Sequence, residues 1–162
     1  MRLTVLILMT TLVTHLNAQD KERTDKHFWH TMETKASPQA IWKIWTDVPN
    51  WKDWDTGLKD ASIKGDFVLG SKGTIISLED RKSKFKVVKY TEGQSYTYKT
   101  KLPLGSLYVK RYLTEQNGIT TFTHEVWFSG LTGGIFARSF GSTFREMLPD
   151  VLNNIKKIAE SK

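Results

Sequence analysis

The sequence contains no cysteine among its 162 residues. A chain without cysteine has no disulfide bonds, no thiolate metal ligands and no cysteine nucleophile. It also cannot carry the lipid anchor that is attached to an N-terminal cysteine in lipoproteins. Proline is scarce, with 4 residues, and no linker, repeat or low-complexity stretch interrupts residues 27–160. A chain of this length without internal breaks is expected to form one domain.

Long apolar runs are also scarce, and the one at the start of the chain, residues 3–13, is too short to cross a hydrocarbon core of about 30 Å as a helix. Arg2 precedes this run, and a polar stretch ending in the small residue Ala18 follows it. This layout predicts a signal peptide over residues 1–18, with an uncleaved anchor as the alternative because Leu16 is large for its place. We therefore expect an exported protein, periplasmic or secreted, with a polar lead-in over residues 19–26 and the domain over 27–162.

Acidic residues are too few to balance the basic ones, with 17 Asp and Glu against 24 Lys and Arg, so the formal net charge is +7. A basic surface attracts nucleic acids or anionic membranes. The lysines are scattered along the chain, however, and no nucleic-acid-binding motif accompanies them. The sequence therefore predicts no nucleic-acid partner and, at most, a weak contact with an anionic membrane surface.

The domain begins with strand and helix patterns and continues with a long β-rich region. A strand is predicted over residues 27–35, a helix from Ser37-Pro38, where serine can cap and proline suits the first position, and a short second turn at Trp51 and Trp54. Turn residues then divide the β-rich region, and Asn117-Gly118 is the strongest of these signals because a two-residue hairpin needs positive φ at both places. The predicted strands are 58–67, 73–80, 83–91, 94–102, 106–115 and 119–129.

A long helix is predicted after Gly133-Gly134, and Pro149 inside it should bend it. Its apolar residues recur every three or four positions, which indicates one continuous stripe: Phe136, Phe140, Phe144, Leu148, Val151, Ile155 and Ala159. The fold class is therefore α+β, with an antiparallel sheet whose concave side receives this helix.

Several segments of this sequence resemble the SRPBCC superfamily, the helix-grip group that includes START domains, pollen-allergen-like proteins and polyketide cyclase-like proteins. The similar segments are ASPQAIWKIWTD at residues 36–47, WKDWD at 51–55, GSKG at 70–73, FTHEVWFSG at 122–130 and Leu148-Pro149. The resemblance covers about residues 28–160. It implies a seven-stranded sheet that grips the C-terminal helix and encloses a mostly apolar cavity, and it leaves the function open because the superfamily includes carriers, cyclases and proteins of unknown role.

Two aromatic sets compete as the lining of such a cavity. Trp42, Trp45, Trp51 and Trp54 could stack on a ring-bearing ligand, but large aromatics more often join elements within a core, and we favour that interpretation. Tyr96 and Tyr98 share one face of a strand, and Phe140 and Phe144 share the helix stripe. If the two faces meet, this second set lines either a pocket or a plain core.

Two polar residues are expected on the inward face of the last two strands. His124 alternates with Phe122, Val126 and Phe128, so it is either a ligand donor or general base or a hydrogen-bonded core residue. Arg111 should also face inward, where it could pair with an anionic head group, or with Glu125 only if a bulge turned Glu125 inward. The candidate ligand-binding residues are Trp54, Tyr96, Tyr98, Arg111, His124, Phe140, Phe144 and Leu148.

The spacing of residues argues against a histidine metal site and against a phosphate-binding loop. His27 and His30 lie three apart on a strand and point to opposite faces, so they are poorly placed to share a metal. The segment from Gly65 to Lys72 departs from a phosphate-binding loop, since its lysine comes one place late and a strand follows it. We therefore expect no metal and no cofactor. The first hypothesis is an exported protein that binds an apolar or aromatic, lipid-like molecule, and the alternative is a cofactor-free cyclase or dehydrase with His124 as its base.

Overall fold

The structure, a computed structural model, describes residues 23–161, so the signal-peptide prediction for residues 1–18 lies outside the described residues. Seven strands, two α-helices and one 3₁₀ turn follow one another in the described part. Their bounds are β1 His27–Thr34, α1 Pro38–Thr46, η1 Val48–Asp53, β2 Leu58–Ile63, β3 Lys72–Ser77, β4 Lys82–Thr91, β5 Ser95–Leu102, β6 Gly105–Gln116, β7 Ile119–Gly130 and α2 Gly133–Glu160.

The seven strands form one antiparallel sheet in the order β1-β7-β6-β5-β4-β3-β2. The predicted meander is confirmed, and β1 closes it by pairing with β7. Asn117 and Gly118 have φ of 54° and 75°, as the predicted two-residue turn requires. Because neighbouring strands alternate in direction, the β3–β4, β5–β6 and β7–α2 connections lie at one end of the sheet, which we call the mouth.

The short helix α1 begins as its sequence predicts. Ser37 precedes it, and its side-chain oxygen accepts a hydrogen bond from the amide of Ala40 at 3.2 Å, while Pro38 occupies the first helical position. Ile41, Ile44 and Trp45 form the buried face of this helix. The following 3₁₀ turn buries Val48 and Trp51. Together these two elements connect the end of β1, opposite the mouth, with the start of β2, and η1 packs on β2.

The strand predicted over residues 58–67 is too long. β2 ends at Ile63, and the chain then forms a loop with positive φ at Gly65 and Gly70. Phe67 leaves the strand pattern and folds inward, where its ring centroid lies 4.6 Å from that of Tyr96. Burial of one aromatic ring against the concave side outweighs the few additional ladder hydrogen bonds that a longer edge strand would make.

The long helix α2 packs on β1 and β7 and reaches β6. Its second half buries the predicted stripe at Leu148, Val151, Ile155 and Ala159. In its first half the small residues Ala137 and Gly141 are buried, and the phenylalanines of the predicted stripe are only half-buried. A β-carbon on Gly141 would lie 3.1 Å from the Asp25 carbonyl oxygen, so only a small residue allows this close approach.

The first half of α2 thus presents small residues to the sheet and phenylalanine rings to its flank.

Within residues 23–161, no helix combines the length and hydropathy needed to span a membrane.

Replacing Gly130 with alanine tests how closely the mouth is packed. Gly130 has a φ of 86°, and a β-carbon there would lie 2.5 Å from the carbonyl oxygen of Leu104. Left-handed strain and this overlap together should lower the free energy of unfolding by at least about 3 kcal/mol. Gly118→Ala is the matched control, because it has a φ of 75° with open space around it and should cost only about 1–2 kcal/mol. Urea denaturation of both variants measures the difference, and equal losses would contradict the close packing.

Candidate ligand-binding site

A row of polar residues crosses the concave face of the sheet. Tyr96 on β5 is paired with Arg111 on β6, Arg111 with His124 on β7, and His124 with His30 on β1. Directly paired residues of antiparallel strands point to the same side, so the four side chains share one face. The inward orientation predicted for Arg111 and His124 is therefore confirmed.

Arg111 is the largest charged residue in the core and has an exposed fraction of 0%. Its guanidinium carbon lies 4.7 Å from the ring centroid of Trp54 and 4.9 Å from that of Trp51. The rings of Tyr96 and Tyr98 lie within 5.7 Å of it. Four aromatic rings thus surround the cation, an arrangement that stabilises a guanidinium removed from water.

A chain of hydrogen bonds runs from Arg111 to the short helices. Its Nη1 donates to the hydroxyl oxygen of Tyr96, and that hydroxyl donates to the carbonyl oxygen of Trp45 at 3.2 Å. The indole nitrogen of Trp51 donates to the same carbonyl at 2.9 Å. The carbonyl at the end of α1 therefore ties the sheet, α1 and η1 together.

The tryptophans join elements, as the favoured interpretation predicts. Trp45, Trp51 and Trp54 are fully buried. The ring of Trp51 stacks on Phe85 at 5.3 Å and on Tyr98 at 5.6 Å, and that of Trp45 meets Tyr96 edge-on at 6.2 Å. Aromatic side chains fill the part of the concave side around Arg111, and any ligand must bind beside them or displace them.

Five buried nitrogen atoms in and around this cluster have no hydrogen-bond partner in the described structure. They are Nε and Nη2 of Arg111, the indole nitrogens of Trp45 and Trp54, and Nδ1 of His124. The arginine and indole nitrogens can only donate, and an unpaired buried donor costs about 1–3 kcal/mol, more when it is charged. Such a set of donors is suited to a hydrogen-bond acceptor.

The oxygens of two tyrosines and one carboxyl group favour the charged form of Arg111. None of the ion pairs between described residues includes it. Burial alone would lower the pKa of Arg111, but the oxygens of Tyr96, Tyr98 and Asp55 raise it above the ordinary value, so the guanidinium stays charged. Burial raises the pKa of Asp55, against the opposing effects of the Arg111 charge and the Gly57 amide. Asp55 is thus the buried carboxyl group whose charge favours the charged form of Arg111.

Asp55 is the functional candidate that the sequence analysis missed. It follows η1, and its Oδ1 accepts a hydrogen bond from the amide of Gly57 at 3.1 Å. The sequence signal that could have identified Asp55 was its position in the WKDWD segment, which resembles the superfamily. Periodicity gave no reason to separate it from its exposed neighbour Asp53, because the segment is a 3₁₀ turn and a loop.

The other titratable groups of the row are held neutral. Burial and then the charge of Arg111 lower the pKa of His124 well below its usual value. Burial raises the pKa of Tyr96 and of Tyr98, although Arg111 opposes this in both cases. At neutral pH the site therefore contains a cation, two phenols and an uncharged imidazole.

Glu125 does not turn toward Arg111, because β6 and β7 pair without a bulge. It lies on the convex side, where its Oε1 is 2.6 Å from Nε2 of His27 and its Oε2 is 3.8 Å from Nζ of Lys110. His27 and His30 thus lie on opposite faces, as predicted. In residues 23–161, no group of three or more acidic or histidine side chains is placed to hold a metal ion.

The helix phenylalanines do not join the tyrosines. Phe144 contacts Phe128 with centroids 6.5 Å apart, and Phe140 stacks on Phe136 at 6.0 Å. The described residues show no ring contact between either of them and Tyr96 or Tyr98. The proposed aromatic set is therefore two sets, the tyrosines around Arg111 and the phenylalanines nearer the mouth. Leu148 is buried in the α2 core.

Neither of two surface crevices in the described part of the chain is lined by Arg111. The smaller, of about 110 Å³, lies between η1, α1 and α2, and Trp54 forms part of its wall. Trp54 thus contacts both this crevice and the guanidinium of Arg111. The larger groove, of about 690 Å³, lies between the end of β1 and the end of α2, beside Thr34 and Glu160. It is remote in the fold from the polar row.

Residues 26–160 match the model of a family described as "Polyketide cyclase / dehydrase and lipid transport". The chain belongs to this family. No curated protein matches the chain. As a family member it has the SRPBCC helix-grip fold, which accommodates hydrophobic ligands or polyketide cyclase-like chemistry.

Three solved structures with the same fold are distant from this chain in sequence. A hypothetical protein from Helicobacter pylori, jhp0584, is 7% identical with a TM-score of 0.70, covering 98% of this chain and 99% of that one. Ara h 8.0201 is 13% identical with a TM-score of 0.65, covering 84% and 98%. DynU16, a putative protein in the dynemicin biosynthetic locus, is 14% identical with a TM-score of 0.63, covering 85% of this chain and 48% of that one. These similarities show the shared fold.

His124 should make stability depend on pH. Its pKa is lowered on folding, so its contribution is complete above about pH 6.5 and is lost as the pH falls toward the folded-state pKa. Over that window the free energy of unfolding should fall by up to about 1.4 kcal/mol per pH unit. His124→Leu should flatten this dependence in urea titrations between pH 7 and pH 5. His30→Leu is the control on the same row, since His30 is less buried and its pKa is also lowered, and the flattening should be smaller.

Proposed function

We propose that this protein binds an amphipathic small molecule between the sheet and α2, with an acceptor-bearing head group at Arg111 and an apolar body toward the mouth. The observation that carries the proposal is the buried, unpaired guanidinium edge of Arg111. Within the family, a hydrophobic ligand is expected. The donors of the polar row indicate which chemical groups the head group of that ligand should carry.

The head group should be an anion or a strongly polarised carbonyl. The free nitrogens of Arg111 are Nε and Nη2, two adjacent donors on one edge of the guanidinium, which match a carboxylate, sulfonate or phosphate. Asp55 forms no hydrogen bond with that edge in the described structure. An acceptor placed there relieves the cost of the unpaired donors and neutralises the charge in one contact.

The apolar body of the ligand should lie along the half of the concave side that is nearer the mouth. Phe136, Phe140 and Phe144 are half-buried on the flank of α2, and Leu102 and Leu107 are half-buried on the opposing strands. Apolar surface that is neither in the core nor fully exposed gains about 25 cal/mol for each Å² that a ligand covers. The phenylalanines therefore support a ligand with an aromatic or aliphatic body.

Two fluorescent probes separate the head group from the body. 1-Anilinonaphthalene-8-sulfonate and N-phenyl-1-naphthylamine share the same rings, but only the first carries a sulfonate. Both should bind the wild-type protein, and Arg111→Met should weaken binding of the anionic probe by at least about tenfold while leaving the neutral probe little changed. Fluorescence titration measures both constants.

Arg138→Met is the matched control because Arg138 lies on the exposed side of α2, and it should leave both constants unchanged. A variant that fails to fold would change the binding of both probes, so the selective loss is diagnostic. Failure of the neutral probe to bind the wild-type protein would overturn the apolar site. An equal response of both probes to Arg111→Met would overturn the head-group assignment.

A second candidate function is cofactor-free cyclisation or dehydration of a carbonyl compound. The specific observation in its favour is His124, which is neutral and carries a buried, unpaired Nδ1 one strand away from Arg111. A neutral imidazole can accept a proton from the carbon next to a carbonyl, and Arg111 with Tyr96 can stabilise the oxygen charge that develops.

Exchange of the methyl protons of acetophenone with deuterated water tests this chemistry by NMR. If His124 acts as the base, the exchange rate should exceed the buffer rate, and His124→Gln should reduce it to the buffer rate. His30→Gln is the control. Exchange no faster than buffer in the wild-type protein would argue against proton abstraction and leave the binding function as the proposal.

Export is part of the proposal and depends on residues 1–18 alone. The layout of a basic start, an apolar run and a small residue at Ala18 supports it. A protein whose first residue in the mature form is Gln19 would agree with this assignment, and N-terminal sequencing of the native protein identifies that residue.

A further inference from the structure

Six large apolar side chains are exposed in residues 23–161, and four of them lie at the mouth. Leu104 is 73% exposed in the β5–β6 turn, Leu131 is 88% exposed in the β7–α2 connection, and Ile135 is 65% exposed in the first turn of α2. Leu78 lies in the β3–β4 turn. The other two, Val68 and Leu69, lie in the β2–β3 loop at the opposite end.

The mouth residues form one surface. The amide of Leu131 donates to the carbonyl oxygen of Leu104 at 3.0 Å, so the two turns are joined. Thr132 also donates from its hydroxyl to the carbonyl of Pro103. Ile135 follows Leu131 by four residues, at the start of α2. We call the exposed side chains of Leu104, Leu131 and Ile135 the apolar tip.

Glu79 and Asp80 in the β3–β4 turn also lie at the mouth, where they pair with Arg81 and Lys59. The segments that form the apolar tip, in contrast, contain no acidic residue. No acidic residue occurs between Glu92 and Glu115 or between Glu125 and Glu146, and these two stretches supply both turns and the first half of α2. Exposed cations in or beside these segments are Lys101, Arg138 and Lys26. A β-carbon on Gly134 would lie 3.3 Å from Nζ of Lys26, which places that amine beside the start of α2. None of these three cations takes part in an ion pair with another described residue.

We propose that the mouth docks on an anionic lipid bilayer, with the apolar tip inserted at the interface and Lys26, Lys101 and Arg138 on the lipid head groups. Exposed leucine and isoleucine surrounded by unpaired cations match the apolar and anionic layers of such a surface. The mouth is also where the half-buried phenylalanines of α2 lie, so docking brings the ligand route against the bilayer.

The charge distribution favours a bilayer over a second copy of the chain. Two copies that joined through their apolar tips would bring their unpaired cations together, and like charges at close range oppose association. An anionic bilayer supplies the missing counter-charge to all three cations at once. The surface needs no particular ligand in the site, so it stands independently of the proposed function.

Co-sedimentation with vesicles of phosphatidylcholine, with or without about 30% phosphatidylglycerol, tests the proposal. The wild-type protein should partition onto the anionic vesicles and much less onto the neutral ones. Leu104→Ser, Leu131→Ser and Ile135→Ser combined should reduce the partition coefficient by at least about tenfold. Val68→Ser with Leu69→Ser is the matched control, since these residues are 47% and 63% exposed at the opposite end and should have little effect.

A pair of charge reversals tests the contribution of the cations to the proposed docking surface. Lys101→Glu with Arg138→Glu should abolish the preference for anionic vesicles, whereas Lys64→Glu with Lys89→Glu, away from the mouth, should leave most of it. Equal effects of the two pairs would show attraction by net charge alone and would overturn the proposal. Wild-type binding that does not distinguish the two vesicle types would also overturn it.

Two further readouts separate the alternatives. Analytical ultracentrifugation that shows a dimer in the wild-type protein and a monomer in the triple serine variant would assign the apolar tip to self-association and overturn the proposal. Titration of the triple variant with N-phenyl-1-naphthylamine shows whether the internal site is intact. Loss of vesicle binding with normal probe binding supports the docking surface, whereas loss of both would show a damaged fold and overturn the assignment of a surface role to these side chains.

Discussion

The burial of a positive charge in an aromatic core is the constraint on which the rest of this structure depends. Arg111 is fully enclosed, and the rings of Trp51, Trp54, Tyr96 and Tyr98 surround it. Placing a cation there is costly unless aromatic faces, hydrogen bonds and counter-charge compensate. The chain supplies four aromatic rings, a hydrogen bond from one nitrogen to Tyr96, and the nearby carboxyl of Asp55, whose pKa burial raises. The nitrogens that stay unpaired are the basis of the proposed contact between Arg111 and a ligand.

The same constraint explains the tight connection between the short helices and the sheet. The hydroxyl of Tyr96 accepts from Arg111 and donates to the carbonyl of Trp45, which also accepts from Trp51. A change at any member of this chain leaves a buried polar group unpaired, so its parts act together. The site and the fold therefore share their stabilising contacts, and a ligand that engages Arg111 also stabilises the packing of α1 and η1.

Much of this architecture follows from the sequence because local signals agree with one another. The Asn117-Gly118 turn, the Ser37 cap and the alternation through Arg111 and His124 each correspond to a described feature. The inward fold of Phe67 and the separation of Tyr96 from Phe140 could not be predicted from the sequence, since they depend on which faces meet in three dimensions. Asp55 was missed for the same reason: its environment comes from strands far away in the chain.

Pro149 gives α2 two regions with different attachments. It has no amide hydrogen to donate to the carbonyl of Arg145, so the helix lacks one internal hydrogen bond where its buried second half meets its half-buried first half. Residues after this point are held by the core, whereas those before it rest on the sheet through small residues such as Gly141. Tilting the first half outward would therefore break few large apolar contacts. Entry of the proposed ligand at the mouth and retention of the folded core would then depend on different parts of one helix.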